Sequence, residues 1–276
     1  MKIAFQILLV LMVSISSAHT QTRQIAITID DLPFVGEYKN FHLDRIINLV
    51  KENNIPVTGF VIAGNVRQDN WPMLNKFRDA GFGVGNHTMS HINLNKVDTE
   101  TYIQEIEEAD KILSPVLTEP KYFRYPYLAM GKKGKKEKVL KFLESRHYKI
   151  APITIDSKDF IFNQRLLSVP QEDRRAYLEE VKYDYLEFIW KQTLIAEENN
   201  RYNHKQDQAQ ILLIHANILN AYVLPDIVNL YREHGYTFLT LEEALQTFNF
   251  SQPQQKVVKR DKTTIEKLID DYFEWD

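Results

Sequence analysis

The chain has 276 residues, 44% of them hydrophobic and 26% charged, which is enough apolar material for one sizeable core and too much for a disordered or fibrous chain. A formal net charge of −3 gives no electrostatic reason to expect nucleic-acid binding. The chain contains no cysteine, which excludes disulfides, thiolate zinc sites, cysteine nucleophiles and iron–sulfur clusters. Any metal must therefore be held by nitrogen and oxygen ligands.

The N-terminal segment has a charged residue, an apolar run and small residues in the order of an export signal. Lys2 precedes an almost wholly apolar run at 3–13, and small residues follow at 16–18. The run is shorter than the about 20 apolar residues that a membrane span needs. An uncleaved anchor and a buried N-terminal strand are the alternatives. We expect a signal peptide at 1–18 and a mature protein that is exported to a bacterial periplasm or exterior, without a stable membrane anchor after cleavage.

Strand and helix patterns alternate along the body of the chain. Apolar, β-branched runs predict strands at 25–29, 57–62, 82–85, 122–124, 148–155, 211–214 and 237–239. Helical spacing and capping residues predict helices at 43–53, 71–80, 98–113, 137–146 and 221–234, with a last one that begins at a Thr240–Glu243 capping box. This alternation predicts a parallel sheet flanked by helices, either open or closed into a barrel.

Two segments interrupt this alternation. Residues 160–210 are aromatic and highly charged, with a predicted helix at 171–198 that forms a lid or packs on the side of the core. The tail at 251–276 has an amphipathic stripe, which predicts a helix that docks on the body (Ile265, Leu268, Ile269, Tyr272 and Phe273). We expect one domain at 19–250 that carries residues 160–210 as an insertion.

Polar residues with catalytic potential cluster at the predicted strand ends, where parallel sheets build their sites. They are Asp30, Asp31, His87, His91, Arg124, Asp156, Asp159 and His215. Alone, each has an ordinary alternative: the carboxylate pair could cap a helix, and the histidines could be packing or surface residues. If His87 and His91 lie on one helical turn, their side chains point the same way and can bind one metal ion.

Five ordered motifs then carry a resemblance to a known family. They are T-I-D-D-L-P at 28–33, H-T-M-S-H at 87–91, R-Y-P-Y at 124–127, D-S-K-D-F at 156–160 and L-I-H at 213–215. Together they resemble the polysaccharide deacetylase family, the NodB-homology proteins of carbohydrate esterase family 4. The resemblance implies a distorted (β/α) barrel of about seven parallel strands.

The resemblance also implies a metal-dependent site. Asp31, His87 and His91 would bind a divalent metal, most naturally Zn²⁺, with Co²⁺ or Ni²⁺ as alternatives. The metal would activate a water and polarise the acetamide carbonyl. Asp30 would be the general base and His215 the general acid.

Further roles follow from the same resemblance. Asp159 would orient His215 and raise its pKa, and Arg124 would hold Asp30 ionised through a bidentate pair. The backbone N–H of Tyr127 would donate to the developing oxyanion. Phe160 and Leu213 would line the small acyl pocket.

Two positions depart from the family pattern. Leu32 replaces a glycine, and we expect it to narrow the sugar site. Phe160 replaces a tryptophan, which keeps an aromatic wall and loses the indole donor. Because neither position is an implied metal ligand, base or acid, we expect an active enzyme.

The expected function is that of an exported, metal-dependent deacetylase. Its expected partner is an acetylated carbohydrate, namely a chitin-like or peptidoglycan-like poly- or oligosaccharide that loses N-acetyl groups. An O-acetyl esterase acting on xylan-like glycans is the close alternative, since the same activated water attacks esters. A non-catalytic glycan-binding module on the same fold is the alternative from another class.

Overall fold

The computed structural model describes residues 23–33, 39–249, 262 and 267. The predicted signal peptide at 1–18 and the amphipathic stripe of the tail lie outside the described residues and stay predictions. None of the described helices combines the length and the apolar character that a membrane crossing requires.

Among the described residues, eight strands form one sheet in which every pairing is parallel. They are β1 Arg23–Leu32, β2 Val57–Val61, β3 Gly83–Asn86, β4 Tyr122–Phe123, β5 Lys149–Ile150, β6 Ile155–Asp156, β7 Gln210–His215 and β8 Tyr236–Phe238. Seven of them follow the order β5-β4-β3-β2-β1-β7-β6, and β8 pairs with the first residues of β1. The predicted parallel sheet is confirmed, and β1 lies inside it, paired with β2, β7 and β8.

The single strand predicted at 148–155 is wrong. The structure has two strands of two residues there, β5 paired with β4 and β6 paired with β7, at opposite ends of the sheet. Pro152 lies between them and has no N–H to donate to a strand ladder. Because Ile150 and Ile155 are only five residues apart, the two ends of the sheet lie within about 18 Å of each other. The sheet is therefore curled into an incompletely closed barrel, as the expected fold requires.

Helices cover the outside of this sheet. They are α1 Lys39–Glu52, α2 Trp71–Asp79, α3 Thr99–Leu113, α4 Lys133–Ser145, α5 Asp159–Leu167, α6 Arg174–Tyr202, α7 Ile218–Glu233 and α8 Leu241–Gln246. The Asp98 carboxylate accepts a hydrogen bond from the Thr101 N–H at the start of α3, and Thr240 and Glu243 form the predicted capping box of α8.

The two faces of the sheet are packed by different apolar clusters. The larger cluster lies between the sheet and the outer helices and includes Ile27 and Ile29 of β1. The smaller cluster takes the alternate residues, such as Ala26 of β1 and Ile211 of β7, and is joined by Leu241 of α8. Buried apolar residues on both faces are typical of a parallel sheet and leave the carboxyl ends of the strands as the place for polar groups.

The long helix of the segment predicted as an insertion is part of the core and not a lid. Helix α6 extends over 174–202, close to the predicted 171–198, and its residues Val181, Tyr185, Phe188 and Ile189 belong to the larger apolar cluster. These residues recur at helical spacing, so one face of α6 is buried along the middle of its length. The segment therefore packs on the side of the barrel.

We predict that Ile189→Ala lowers the free energy of unfolding by about 2–4 kcal/mol, because it removes buried methylenes and leaves a cavity. Leu194→Ala is the control: the residue is on the same helix but 40% exposed, and its truncation should cost less than about 0.5 kcal/mol. Urea unfolding of both variants measures the difference. Equal effects of the two substitutions would contradict the packing of α6 on the core.

Candidate active site

The site begins at the carboxyl end of β1, where the strand bends. Asp31 has a left-handed φ of 63°, and the register between β1 and β2 shifts between Ile29 and Leu32. Successive residues of a regular strand point to opposite faces, so the bend is what turns both carboxylates to one place. The Nε2 atom of His87 lies 3.4 Å from Asp31 Oδ1 and 3.8 Å from Asp30 Oδ2.

Leu32 does not narrow the site, contrary to the sequence-based expectation. Its side chain is fully buried in the larger apolar cluster, where it fills the space above Gly59 of β2. A Cβ atom on Gly59 would come within 2.2 Å of Leu32 Cδ1. The left-handed conformation belongs to Asp31 instead, so Leu32 is free to point into the core.

Asp31, His87 and His91 form a compact group of three side chains. Asp31 Oδ1 lies 3.4 Å from the Nε2 atom of each histidine, and one ligand atom from each of the three residues lies within 4.8 Å of the others. Residues 87–91 are not helical, and Thr88 and His91 have left-handed φ values of 66° and 59°. The expected helical turn is therefore wrong: a loop after β3 aims both imidazoles at Asp31.

The protonation of this group suits a metal ion. The Nδ1–H of His87 donates to the Arg124 carbonyl oxygen at 2.8 Å, which leaves Nε2 as an unprotonated ligand atom in the neutral ring. Burial lowers the pKa of His91 and favours its neutral form, although the Asp31 charge opposes this shift. Burial would raise the pKa of Asp31, but the charges of the neighbouring imidazoles hold it below its ordinary value.

The carboxylate of Asp31 also fits a metal ion. Asp31 Oδ1 is buried and accepts no hydrogen bond from any described residue. A buried carboxylate oxygen without a partner is costly unless a cation or a donor reaches it. Two imidazole nitrogens and one carboxylate oxygen are ligands that Zn²⁺ and related divalent metals accept, so the residues present fit such an ion.

Arg124 is a buried cation behind Asp30. Its Nη1 lies 3.4 Å from Asp30 Oδ2, its Nη2 donates to Thr28 Oγ1 at 3.1 Å, and its Cζ stacks 4.6 Å from the centre of the Phe60 ring. The expected bidentate pair is wrong, since only one guanidinium nitrogen contacts Asp30 and the other is taken by Thr28. Asp30 Oδ1 is buried and has no hydrogen-bond partner among the described residues, so it is able to accept a proton.

His215 forms a dyad with Asp159 at the end of β7. Its Nδ1 lies 2.7 Å from Asp159 Oδ1, and its backbone N–H donates to Asp159 Oδ2 at 2.7 Å. Burial disfavours the imidazolium, but the charge and hydrogen bond of Asp159, with the charges of Asp31 and Asp30, outweigh it and raise the pKa of His215 to about 10. The free Nε2 faces the cluster, 3.9 Å from Asp31 Oδ2.

Asp159 is itself held by residues that the sequence reasoning missed. Asn217 donates to Asp159 Oδ2 at 2.8 Å, Asn220 donates to the same oxygen, and the Tyr185 hydroxyl of α6 donates to Asn220 Oδ1 at 2.9 Å. Asn217 also caps α7 by accepting from the Asn220 N–H. An asparagine just before a helix predicts a cap from sequence, but nothing in the sequence indicates that it also donates to Asp159.

The remaining predicted residues lie around this group. Tyr127 is 65% exposed, and its ring centre is 4.5 Å from that of His91. Phe160 meets the His215 ring edge-on at 6.2 Å, and Leu213 is buried in β7. Asp156 pairs with Lys158 at 2.7 Å instead of joining the cluster. The oxyanion role of Tyr127 and the acyl-pocket roles of Phe160 and Leu213 stay predictions.

Part of the chain matches a known protein family. Residues 17–148 match the family model described as polysaccharide deacetylase. These residues, just under half of the chain, belong to the polysaccharide deacetylase family. The segment holds the aspartate pair, both histidines of the cluster and Arg124, whereas Asp159 and His215 lie beyond it.

Known proteins resemble this chain over about half of its length. It is 28% identical over 139 residues to a peptidoglycan-N-acetylglucosamine deacetylase of Bacillus cereus, which covers 50% of this chain and 46% of that protein. It is 29% identical over 154 residues to a chitin deacetylase of Colletotrichum lindemuthianum, which covers 52% of this chain and 56% of that protein. The chain thus spans only about half the length of these relatives.

Solved structures extend the resemblance of the fold to most of the chain. The chitin deacetylase from Colletotrichum lindemuthianum superposes with a TM-score of 0.57 at 20% identity, over 82% of this chain and 88% of that one. A carbohydrate esterase family 4 pseudoenzyme from Bacillus anthracis superposes with a TM-score of 0.59 at 18% identity, over 82% and 66% of the two chains. At these identities the likeness concerns the fold alone.

We predict that the protein, once stripped of metal with a chelator, binds one Zn²⁺ per chain in a calorimetric titration. His91→Gln removes one imidazole ligand and should weaken binding by at least about tenfold, the loss that removal of even an outer-sphere partner causes. His147→Gln is the control, because His147 is exposed and outside the cluster. Equal zinc affinity of the His91 variant and the unmodified protein would contradict the assignment.

We predict that Asp159→Asn lowers the pKa of His215 from about 10 toward the ordinary value of 6.5, because the variant loses the charge that stabilises the imidazolium. A pKa that is raised by folding contributes stability below pH 6.5, and this contribution is lost as the pH rises through 10. The variant should therefore lose the stability that His215 contributes at neutral pH.

NMR titration of the His215 imidazole in the metal-free protein measures this change. Asp156→Asn is the matched control, because Asp156 pairs with Lys158 and not with His215. An unchanged titration of His215 in the Asp159 variant would show that the dyad is not the source of its raised pKa.

Proposed function

We propose that the protein is an exported, metal-dependent deacetylase that hydrolyses the N-acetyl groups of amino sugars in a polysaccharide or oligosaccharide, with Zn²⁺ as its metal. One observation carries the proposal: the Asp31, His87 and His91 group is approached by the carboxylate of Asp30 and by the imidazole of His215. The matched relatives are named as peptidoglycan-N-acetylglucosamine, chitin and chitooligosaccharide deacetylases. Export rests on the signal-like order of residues 1–18.

Catalysis is preferred to binding alone because of the two groups beside the cluster. A similar fold occurs in a pseudoenzyme, so the architecture by itself carries no activity. A module that only bound a glycan would have no use for a buried carboxylate oxygen without a partner or for an imidazole whose pKa is raised by a buried aspartate. Asp30 and His215 supply both.

Asp30 acts in the first half of the reaction. Asp31, His87 and His91 would hold the metal, which when bound polarises the acyl carbonyl and makes the attacking water more acidic. Asp30 accepts the proton of that water through its unpartnered Oδ1. Arg124 contacts the other carboxylate oxygen at 3.4 Å and fixes the orientation of the Asp30 side chain.

His215 acts in the second half. Because the pKa of its imidazole is raised to about 10, the ring is protonated at neutral pH and can donate through Nε2 to the departing nitrogen. Asp159 fixes Nδ1 and so determines which nitrogen faces the substrate. An amide nitrogen cannot leave without a proton, whereas an ester oxygen leaves more easily. The strength of this dyad therefore favours N-acetyl over O-acetyl substrates.

We predict release of acetate from N-acetylated chitooligosaccharide or peptidoglycan when Zn²⁺ is supplied, and loss of release when the metal is removed with a chelator. Asp30→Asn should lower kcat by at least about 100-fold, which is the usual contribution of a general base. Its zinc affinity should stay close to that of the unmodified protein, because Asp30 is outside the ligand group. Asp156→Asn is the control and should keep near-normal kcat.

The substrates separate the alternatives. Acetylated xylan is included in the assay, and faster release from it than from both N-acetylated glycans would assign the protein as an O-acetyl esterase. Absence of release from all three substrates by the zinc-loaded protein would contradict a deacetylase and leave a glycan-binding module.

A further inference from the structure

A cavity lies at the same end of the barrel as the candidate active site. It has a volume of about 890 Å³ and lies between the first turns of α1, α6 and α7 and the last turn of α5. Helices α1 and α7 follow the carboxyl ends of β1 and β7, the strands that carry the aspartate pair and His215. None of the residues that line it contributes to the proposed reaction. Its volume is within the range of small-molecule sites.

The walls of this cavity are apolar and include two aromatic rings. Phe41 of α1 is 47% exposed, Tyr222 of α7 is 38% exposed, and their ring centres are 6.3 Å apart. Leu166, Leu178 and Ile218 complete the apolar lining. Two neighbouring exposed rings beside aliphatic side chains form an apolar surface, and its burial under an apolar group would be favourable.

His42 is a buried polar group that lines the same cavity. It is 2% exposed, and neither Nδ1 nor Nε2 has a hydrogen-bond partner among the described residues. Burial lowers its pKa, so the neutral ring offers one donor and one acceptor. A buried imidazole with both nitrogens unpartnered is expensive for a fold to keep unless another molecule satisfies it.

The rim of the cavity has an excess of positive charge. Glu179 pairs with Lys182 at 2.6 Å, and Lys182 also lies 3.7 Å from Asp226. Arg174 donates through Nε and Nη2 to the carbonyl oxygens of Val169 and Leu167 and has no ion pair with a described residue. Arg175 lines the cavity and forms no ion pair or hydrogen bond with the residues that the structure describes. Two guanidinium groups are thus available to an anion, and guanidinium binds carboxylate well.

We propose that this cavity is a ligand site for a small molecule that has an apolar ring or chain and a carboxylate group. The apolar part lies against Phe41 and Tyr222, the carboxylate is bound by Arg175 with Arg174, and His42 hydrogen-bonds a polar atom at the inner end. The site is separate from the deacetylase reaction, and its occupation can be measured whether or not that reaction occurs.

The test uses phenylbutyrate as the probe, with phenylbutanol and phenylbutylamine as matched molecules that carry no charge and a positive charge. Calorimetry on the full chain should detect saturable binding of phenylbutyrate, weaker binding of the alcohol and none of the amine. Arg175→Gln should weaken phenylbutyrate binding by about tenfold, because the complex loses one charge-assisted hydrogen bond. It should leave the affinity for the alcohol unchanged. Arg201→Gln, the same substitution near the other end of α6, is the control.

His42→Leu separates a binding role from a structural one. Because it replaces an unpartnered buried imidazole by an apolar side chain, it should not lower the Tm, while it should weaken phenylbutyrate binding. Equal binding of all three probes, equal affinity of the Arg175 and Arg201 variants, or no saturable binding would overturn the proposal. The last outcome would mean that the cavity is filled by another part of the chain or has no such ligand.

Discussion

At Asp31 the backbone of β1 leaves the regular strand for a left-handed conformation, and this bend brings two consecutive carboxylates to one imidazole. A regular strand would have sent Asp30 and Asp31 to opposite faces of the sheet. A left-handed conformation is uncommon for a residue with a side chain, and it persists only where the surroundings hold it. Here Leu32 supplies the anchor, because its side chain is fixed in the core directly after the bend.

The electrostatics of the site follow from that bend. Asp30, Asp31 and Asp159 are three carboxylates in or beside one largely buried region, and each needs positive charge or donors to remain ionised. Arg124 supplies charge to Asp30 and His215 supplies it to Asp159. Asp31 is left with imidazoles as its neighbours and one oxygen without a donor. A divalent cation would satisfy that oxygen, which is why the donor set and the charge distribution point to the same position.

The sequence predicted the elements of this site better than their local geometry. Alternating strand and helix patterns place polar residues at the carboxyl ends of parallel strands, so the grouping of Asp31, His87 and His215 follows from topology. The prediction of one strand at 148–155 was wrong because apolar periodicity does not show which strand a residue pairs with. Before Pro152 the chain pairs with β4 at one end of the sheet, and after it the chain pairs with β7 at the other end.

Errors inside the site have a common cause. The histidine pair is held by left-handed residues in a loop instead of by a helical turn, and Thr28 takes one nitrogen of Arg124 that a bidentate pair would have used. Both outcomes depend on tertiary contacts between residues far apart in the sequence. Leu32 is the same case, since only the space above Gly59 determines that its side chain points inward.

Helix α6 supports the dyad from behind. Its buried face carries Tyr185, whose hydroxyl holds Asn220, and Asn220 in turn holds the carboxylate that orients His215. A helix that supports the dyad from the core cannot also move as a lid without breaking these hydrogen bonds. Helix α6 therefore adds rigidity behind the proposed general acid.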